Sequence, residues 1–192
     1  MGVLRENVLY LLASSLLLAF GMYAWATIPQ SGVPLSDNPL LKEIEKYIQF
    51  YRPYDPLTIP FLLAKNSLTA AMAFFLGPIL LIVPTVILLL NGFMVGMIGA
   101  ALSDQFSVIY ALQVLAPHGI FEIPALVIAS AGGIRLGVAT LRKLSSKMRH
   151  REYSLSAEFK RTWRLLVISV ILLLIAAVME TYVTPFIIGY SP

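Results

Sequence analysis

Long apolar runs broken by short polar interludes dominate the chain. Residues 7 to 28, "NVLYLLASSLLLAFGMYAWATI", exceed the ~20 apolar residues that one membrane crossing needs. The "AWA" at 24 to 26, with Arg5 as a basic flank, has the outline of a signal-peptidase site, but the apolar run is longer than a usual signal-peptide core and predicts a retained first transmembrane helix over 1 to 30. Residues 31 to 58 alternate differently. Asn38-Pro39 suits an N-cap and first helical position. Leu40, Ile44, Tyr47, Ile48 and Tyr51 then recur at helical spacing opposite Lys42, Glu43, Glu45 and Lys46. That predicts an amphipathic helix lying in the membrane interface or packed on the protein's own outer face, with Tyr47, Phe50, Tyr51 and Tyr54 in an aromatic belt.

From Ile59 to Leu102 the chain is apolar over about two crossings. Gly77-Pro78 supplies the break and Pro84 a kink, predicting helices over 59 to 77 and 79 to 102. Residues 105 to 116, "QFSVIYALQVLA", make a helix only ~18 Å long, too short to cross. Asp104 is placed to cap it and Pro117 to end it, giving a re-entrant half-helix whose broken backbone must be buried in protein. A fourth span follows over 118 to 141, a basic loop over 142 to 161, and a fifth span over 162 to 185. The expected fold is an all-α integral membrane protein, a single domain over 1 to 192, with five transmembrane helices, one re-entrant half-helix and one interfacial helix.

Composition agrees. Hydrophobic residues make up 58% and charged residues 12% of the 192, with a mean hydropathy of +0.82, whereas a soluble domain carries about 25% charged residues. Cysteine is absent, which excludes disulfides and thiol chemistry. Nine of the 14 Lys and Arg fall between Arg135 and Arg164. With no aromatic-interleaved basic patch, that clustering is a topology signal and not a nucleic-acid footprint. It places Arg142, Lys143, Lys147, Arg149, Arg151, Lys160 and Arg161 in the cytoplasm, the N-terminus with them and the C-terminus outside. The loop can also meet acidic lipid headgroups. Trp163 reads as an inner-interface anchor, His150 as a solvated group.

This topology gathers Asn66, Asn91, His118, Glu122 and Glu180 into the outer half of the membrane. Charged groups cost roughly 2.5–3.5 kcal/mol at a helix centre and seldom face lipid. Small residues run beside them: Asn66, Ala70, Ala73 and Gly77; Gly92, Gly96 and Ala100 after Asn91; Ala129, Gly133 and Gly137 beyond Glu122; Ser169, Ala176, Glu180 and Thr184. Such stripes let backbones meet closely in lipid, and where exposed they suit a homodimer. His118 and Glu122 stand one turn apart in "PHGIFEIP". Pro124 frees the Ile120 carbonyl beside them, and Pro117 with Gly119 permits a tight approach. Three readings follow: a structural hydrogen-bond knot, a proton or solute site, or a metal site on His118, Glu122 and Glu180. The last is ligand-poor and lacks an HExxH helix. Lys65 and Arg135 can snorkel outward and inward. No P-loop, GxGxxG or nucleophile elbow is present, so no enzyme activity and no cofactor is expected.

The segments "KNSLTAAMAFFLG", "LLLNGFMVGMIGA", "APHGIFEIPALVIASAGGIRLG" and "IAAVMETYVTP" together resemble the stage II sporulation protein M family of polytopic membrane proteins. The likeness covers roughly residues 60 to 185. Position by position, the family's polar motif falls on Asn66, Asn91, Gly92, Pro117, His118, Gly119, Glu122 and Glu180. Where the family often has two adjacent asparagines, this chain has Lys65-Asn66. In spore-forming bacteria the resemblance implies a septal membrane protein acting with partners that remodel the cell wall. The expectation drawn here is a non-enzymatic membrane module that scaffolds or recruits partner proteins. Its rival is a transporter or channel using the polar cluster.

Overall fold

The structure, a computed structural model, describes residues 2–27, 52–79, 81–148 and 154–190, and leaves the side chains of His118, Lys147 and Met148 outside that description. The expected interfacial helix at Asn38–Tyr51 and the basic residues Arg149 and Arg151 lie outside it as well. The described chain is helical: α1 (Val8–Thr27, entered by a 3-10 turn Arg5–Asn7), α2 (Thr58–Phe75), α3 (Ile82–Gln105), α4 (Val108–Met148) and α5 (Leu155–Val178). A π-helical turn, Met179–Val183, and a last short helix α6, Thr184–Ile187, follow α5. Among the described residues, five helical stretches are long and apolar enough to cross a membrane.

The spans alternate in direction, and glycines set their contacts. Gly92 abuts the Leu18 carbonyl, Gly21 that of Leu89, and a Cβ on Gly96 would come within 2.8 Å of the Met22 carbonyl oxygen. These contacts run α1 and α3 parallel, with Trp25 edge-on to Phe93 at 5.2 Å. Gly133 lies against Ala73 and Phe74, and Gly137 against the Gly77 carbonyl, so α2 and α4 are also parallel. Each pair is parallel because an oppositely directed span comes between its members in sequence. Apolar side chains gain little by leaving lipid tails, so this backbone-on-backbone fit is the main source of cohesion.

α4 is the axis. In the most apolar 18-residue window of Gly119–Ser146, 78% is buried, against 22–28% for the matching windows of the other four. Leu126, Val127 and Ile134 pack with Leu18 of α1 and Leu88 of α3. Ala125 and Ala129 pack with Ala70 of α2 and Leu173 of α5. The outer faces of the other helices carry Leu9, Leu16, Phe20, Leu68, Leu90 and Ile171, all exposed, as a lipid-facing surface requires.

Four expectations need correction. Pro117 does not end a half-helix: α4 passes through both Pro117 and Pro124 without a break. Each proline removes one donor and frees one carbonyl, Gln113 and Ile120, while the remaining ladder holds the helix together. No broken backbone therefore has to be hidden. Ser107, not Asp104, caps this helix, accepting the Tyr110 N–H at 3.1 Å, while Asp104 belongs to the last turn of α3. Pro84 falls in the first turn of α3, where its N–H would lack an intrahelical partner anyway, so no kink follows. The basic loop over 142 to 161 is largely helical, since α4 reaches Met148 and α5 starts at Leu155 behind the Ser154 N-cap.

Candidate functional site

The α2–α4 register extends from Gly77 and Gly133 towards the Pro117 end. Ala70 meets Ala125 and Ala129 there, which sets half-buried Asn66, one turn further, level with the turn below Glu122. On the other flank Leu88 packs with Leu126, and Gly99 faces Leu115, bringing Asn91 level with Ile123. The register thus sets Asn91 beside the turn that carries Glu122, and Asn66 about one turn further along α4. Asn91 donates its amide N–H to the Ile87 carbonyl of its own helix at 2.7 Å. Glu122 and Glu180 are half-buried, Lys65 is exposed, and each of these three engages a neighbour. Of His118 only the backbone, inside α4, is described.

Glu180 stands higher, in the π-helical turn. A π turn widens the helix by one residue per bond and is frequent at functional sites. Here it shifts the backbone so that the Thr181 carbonyl accepts the Tyr54 N–H at 3.0 Å. Tyr54 holds a left-handed φ of 63°, and its hydroxyl donates to the Tyr190 carbonyl at 2.9 Å. Thr58 locks the same connection, its hydroxyl donating to the Arg52 carbonyl at 2.8 Å. The side chain of Glu180 is therefore carried on a turn tied to the Tyr54 connection. Among the described residues no three His, Asp or Glu side chains gather as a metal site.

At the opposite end the structure assembles a charged centre absent from the sequence reading. Arg135 of α4 donates through Nε to Glu158 Oε2 of α5 at 2.9 Å and through a terminal nitrogen to Asn7 Oδ1, at the foot of α1, at 2.8 Å. Asn7, fully buried, passes its own amide N–H to the Val3 carbonyl at 2.7 Å. Arg135 also stands 6.0 Å from the Tyr10 ring centre. The guanidinium does not snorkel; it ties three spans together. An arginine well inside an apolar span is itself the signal that a partner must exist. Which partner depended on α5 beginning seven residues before the expected start.

The small-residue stripes are spent inside this bundle: Gly21, Gly77, Gly92, Gly96, Gly133 and Gly137 all meet neighbouring backbone of the same chain.

A family model described as Stage II sporulation protein M matches residues 4–185. Among similar proteins is one printed as "Uncharacterized protein MJ0793" of Methanocaldococcus jannaschii, 34% identical over 161 residues, covering 81% of this chain and 87% of that relative. "Uncharacterized protein MJ0706" of the same organism is 29% identical over 130 residues, covering 68% of this chain and 58% of its own length. No solved structure matches. Nearly the whole length from the foot of α1 to the π turn thus follows one family pattern, and the chain belongs to the stage II sporulation protein M family.

Proposed function

We propose that this protein is a non-enzymatic membrane scaffold whose central helix presents docking surfaces beyond the bilayer. The observation that carries this reading is the length of α4. Its 41 residues make a contour of about 60 Å, twice the roughly 30 Å hydrocarbon core. Its Val108 end pairs with the end of α3, and this tip exposes Phe106, Val108, Ile109 and Leu112. The other exposes Leu141 and Leu144 beside Arg142 and Lys143. The positive-inside rule sets this basic overhang in the cytoplasm. A rigid core with apolar, charged tips is what a recruiting module requires.

The second reading is passage of an ion or small solute. The placing of Asn66, Asn91 and Glu122 within about one helical turn in depth, with Glu180 on a π turn and His118 one turn from Glu122, favours it. One pair of measurements separates the two. Purified protein in lipid vesicles should carry no saturable flux of protons, monovalent cations or small anions. Proximity labelling from a tag at Ser146 should mark a discrete set of membrane neighbours, lost when Leu141 and Leu144 are changed to Ser in a still-folded bundle. Saturable flux abolished by Glu122→Gln, or a neighbour set unchanged by the Ser variants, would overturn the scaffold.

A further inference from the structure

Most hydroxyls in these spans look after themselves. Thr85, Ser103, Thr140 and Thr181 donate to the carbonyls of Leu81, Gly99, Leu136 and Ala177 in their own helices, at 2.7–3.0 Å, the usual recourse of a lone hydroxyl away from water. Ser14, Ser67, Ser130 and Ser169 behave otherwise. Each oxygen is sealed off, and no described residue bonds it. Ser14, Ser130 and Ser169 are 0% exposed. A hydroxyl in apolar surroundings without a partner is costly, so four of them call for an explanation.

Their positions supply one. Ser14 lies one turn before Leu18, and Ser130 one turn after Leu126 and one before Ile134; Leu18, Leu126 and Ile134 belong to the same packed cluster. The Asn7–Arg135 bond sets the antiparallel register of α1 and α4, which brings Ser14 to about the level of Ser130. The second pair repeats the arrangement. Ser67 sits one turn from Leu63 and Ala70, Ser169 one turn from Leu166 and Leu173, and these four again share a cluster. The Tyr54–Thr181 bond and the Phe74–Phe159 ring contact at 6.0 Å set the α2–α5 register, in which Ser67 comes to about the level of Ser169. Both pairs lie at the depth of Leu126–Ser130, well inside the apolar stretch of α4.

We infer that each level pair, Ser14 with Ser130 and Ser67 with Ser169, holds a bridging water, giving the bundle two hydration sites deep in the membrane. Two buried hydroxyls at one level on packed helices, neither bonded in the protein, can both be satisfied by one molecule that donates to one oxygen and accepts from the other. The carbonyls of the preceding turn, Tyr10 and Leu126 in the first pair, have spare lone pairs for a third bond. Buried waters characteristically take about three such partners. Neutral hydroxyls select a neutral ligand, and the side chains packed around them are mainly Leu and Ala. These seams are thus cemented by water where an all-apolar contact would be dry.

The test is water-edited solid-state NMR on the isotopically labelled full chain in lipid bilayers. Water protons should transfer polarisation to the Cβ of Ser14, Ser130, Ser67 and Ser169 but not to Leu18, Leu88 or Ala129 beside them. In Ser130→Ala the Ser14 signal should drop at least twofold while Ser67 and Ser169 stay unchanged. Absence of transfer to the serines overturns the inference, as does a Ser14 signal indifferent to Ser130→Ala. The wild-type spectrum decides alone should a variant fail to fold.

Discussion

Two guanidinium nitrogens of Arg135 converge on a single carboxylate oxygen of Glu158, at 2.8 and 2.9 Å, with side-chain exposures of 11% and 16%. The other oxygen of Glu158 is left for Arg161, 3.5 Å away. Removing one partner of a pair this enclosed strands a charge, which costs about 3–5 kcal/mol. Glu158→Ala should therefore lower the unfolding midpoint of the detergent-solubilised protein sharply, and Lys160→Ala, on the exposed face of the same turn, should leave it unchanged. The double change Arg135→Met with Glu158→Leu should recover part of the loss, because the paired charges offset each other's desolvation while the buried Asn7 Oδ1 loses its donor.

Gly133 and Gly99 sit on neighbouring helices and answer to different neighbours. A Cβ on Gly133 would collide with the Ala73 carbonyl, rigid backbone that can move only with the whole of α2. A Cβ on Gly99 would stand 3.5 Å from Leu115 Cδ1, an ordinary contact. Gly133→Ala should cost about 3 kcal/mol or abolish monodisperse protein, at the top of the range for overpacking. Gly99→Ala should be neutral or slightly stabilising through helix propensity. Thermal unfolding of the two variants side by side makes the comparison.

Tyr54 holds its left-handed backbone because two bonds fix it, N–H to Thr181 and hydroxyl to Tyr190. A bulky residue there stores strain of about 1–3 kcal/mol. Tyr54→Phe removes the hydroxyl bond, worth about 0.5–1.5 kcal/mol, and keeps the strain. Faster hydrogen exchange should then appear at Ile188–Tyr190 and in the π turn, with α2 and α4 unaffected. Tyr54→Gly should relieve the strain and partly restore protection at Thr181.

These sites show how far the pattern of apolar positions reaches. Span number and direction were legible because each crossing has to be about 20 apolar residues long, and Gly77, Gly92 and Gly133 announced close packing by their spacing. Pro117 misled because a proline deletes one hydrogen bond, not a helix, and the sequence does not say whether neighbours will support the remainder. The helical extension to Met148 and the start at Leu155 were hidden by charge, since Arg142 and Lys160 read as loop. That error concealed Glu158 inside a helix and so concealed the partner of Arg135. The π turn under Glu180 was not legible, because no residue in "METYV" forbids ordinary helix.

Orientation across the membrane rests on the basic overhang, and the chain is well suited to testing it, having no cysteine of its own. Leu57 is exposed just before α2, and Ser146 stands near the far end of α4. Positive residues in short loops resist translocation, and that resistance sets the side on which Arg142 and Lys143 remain. Leu57→Cys should react with a membrane-impermeant maleimide in intact cells. Ser146→Cys should react only after the cells are opened. The reverse pattern would place the basic overhang outside and transfer any cytoplasmic docking role to the Phe106 tip of the α3–α4 hairpin.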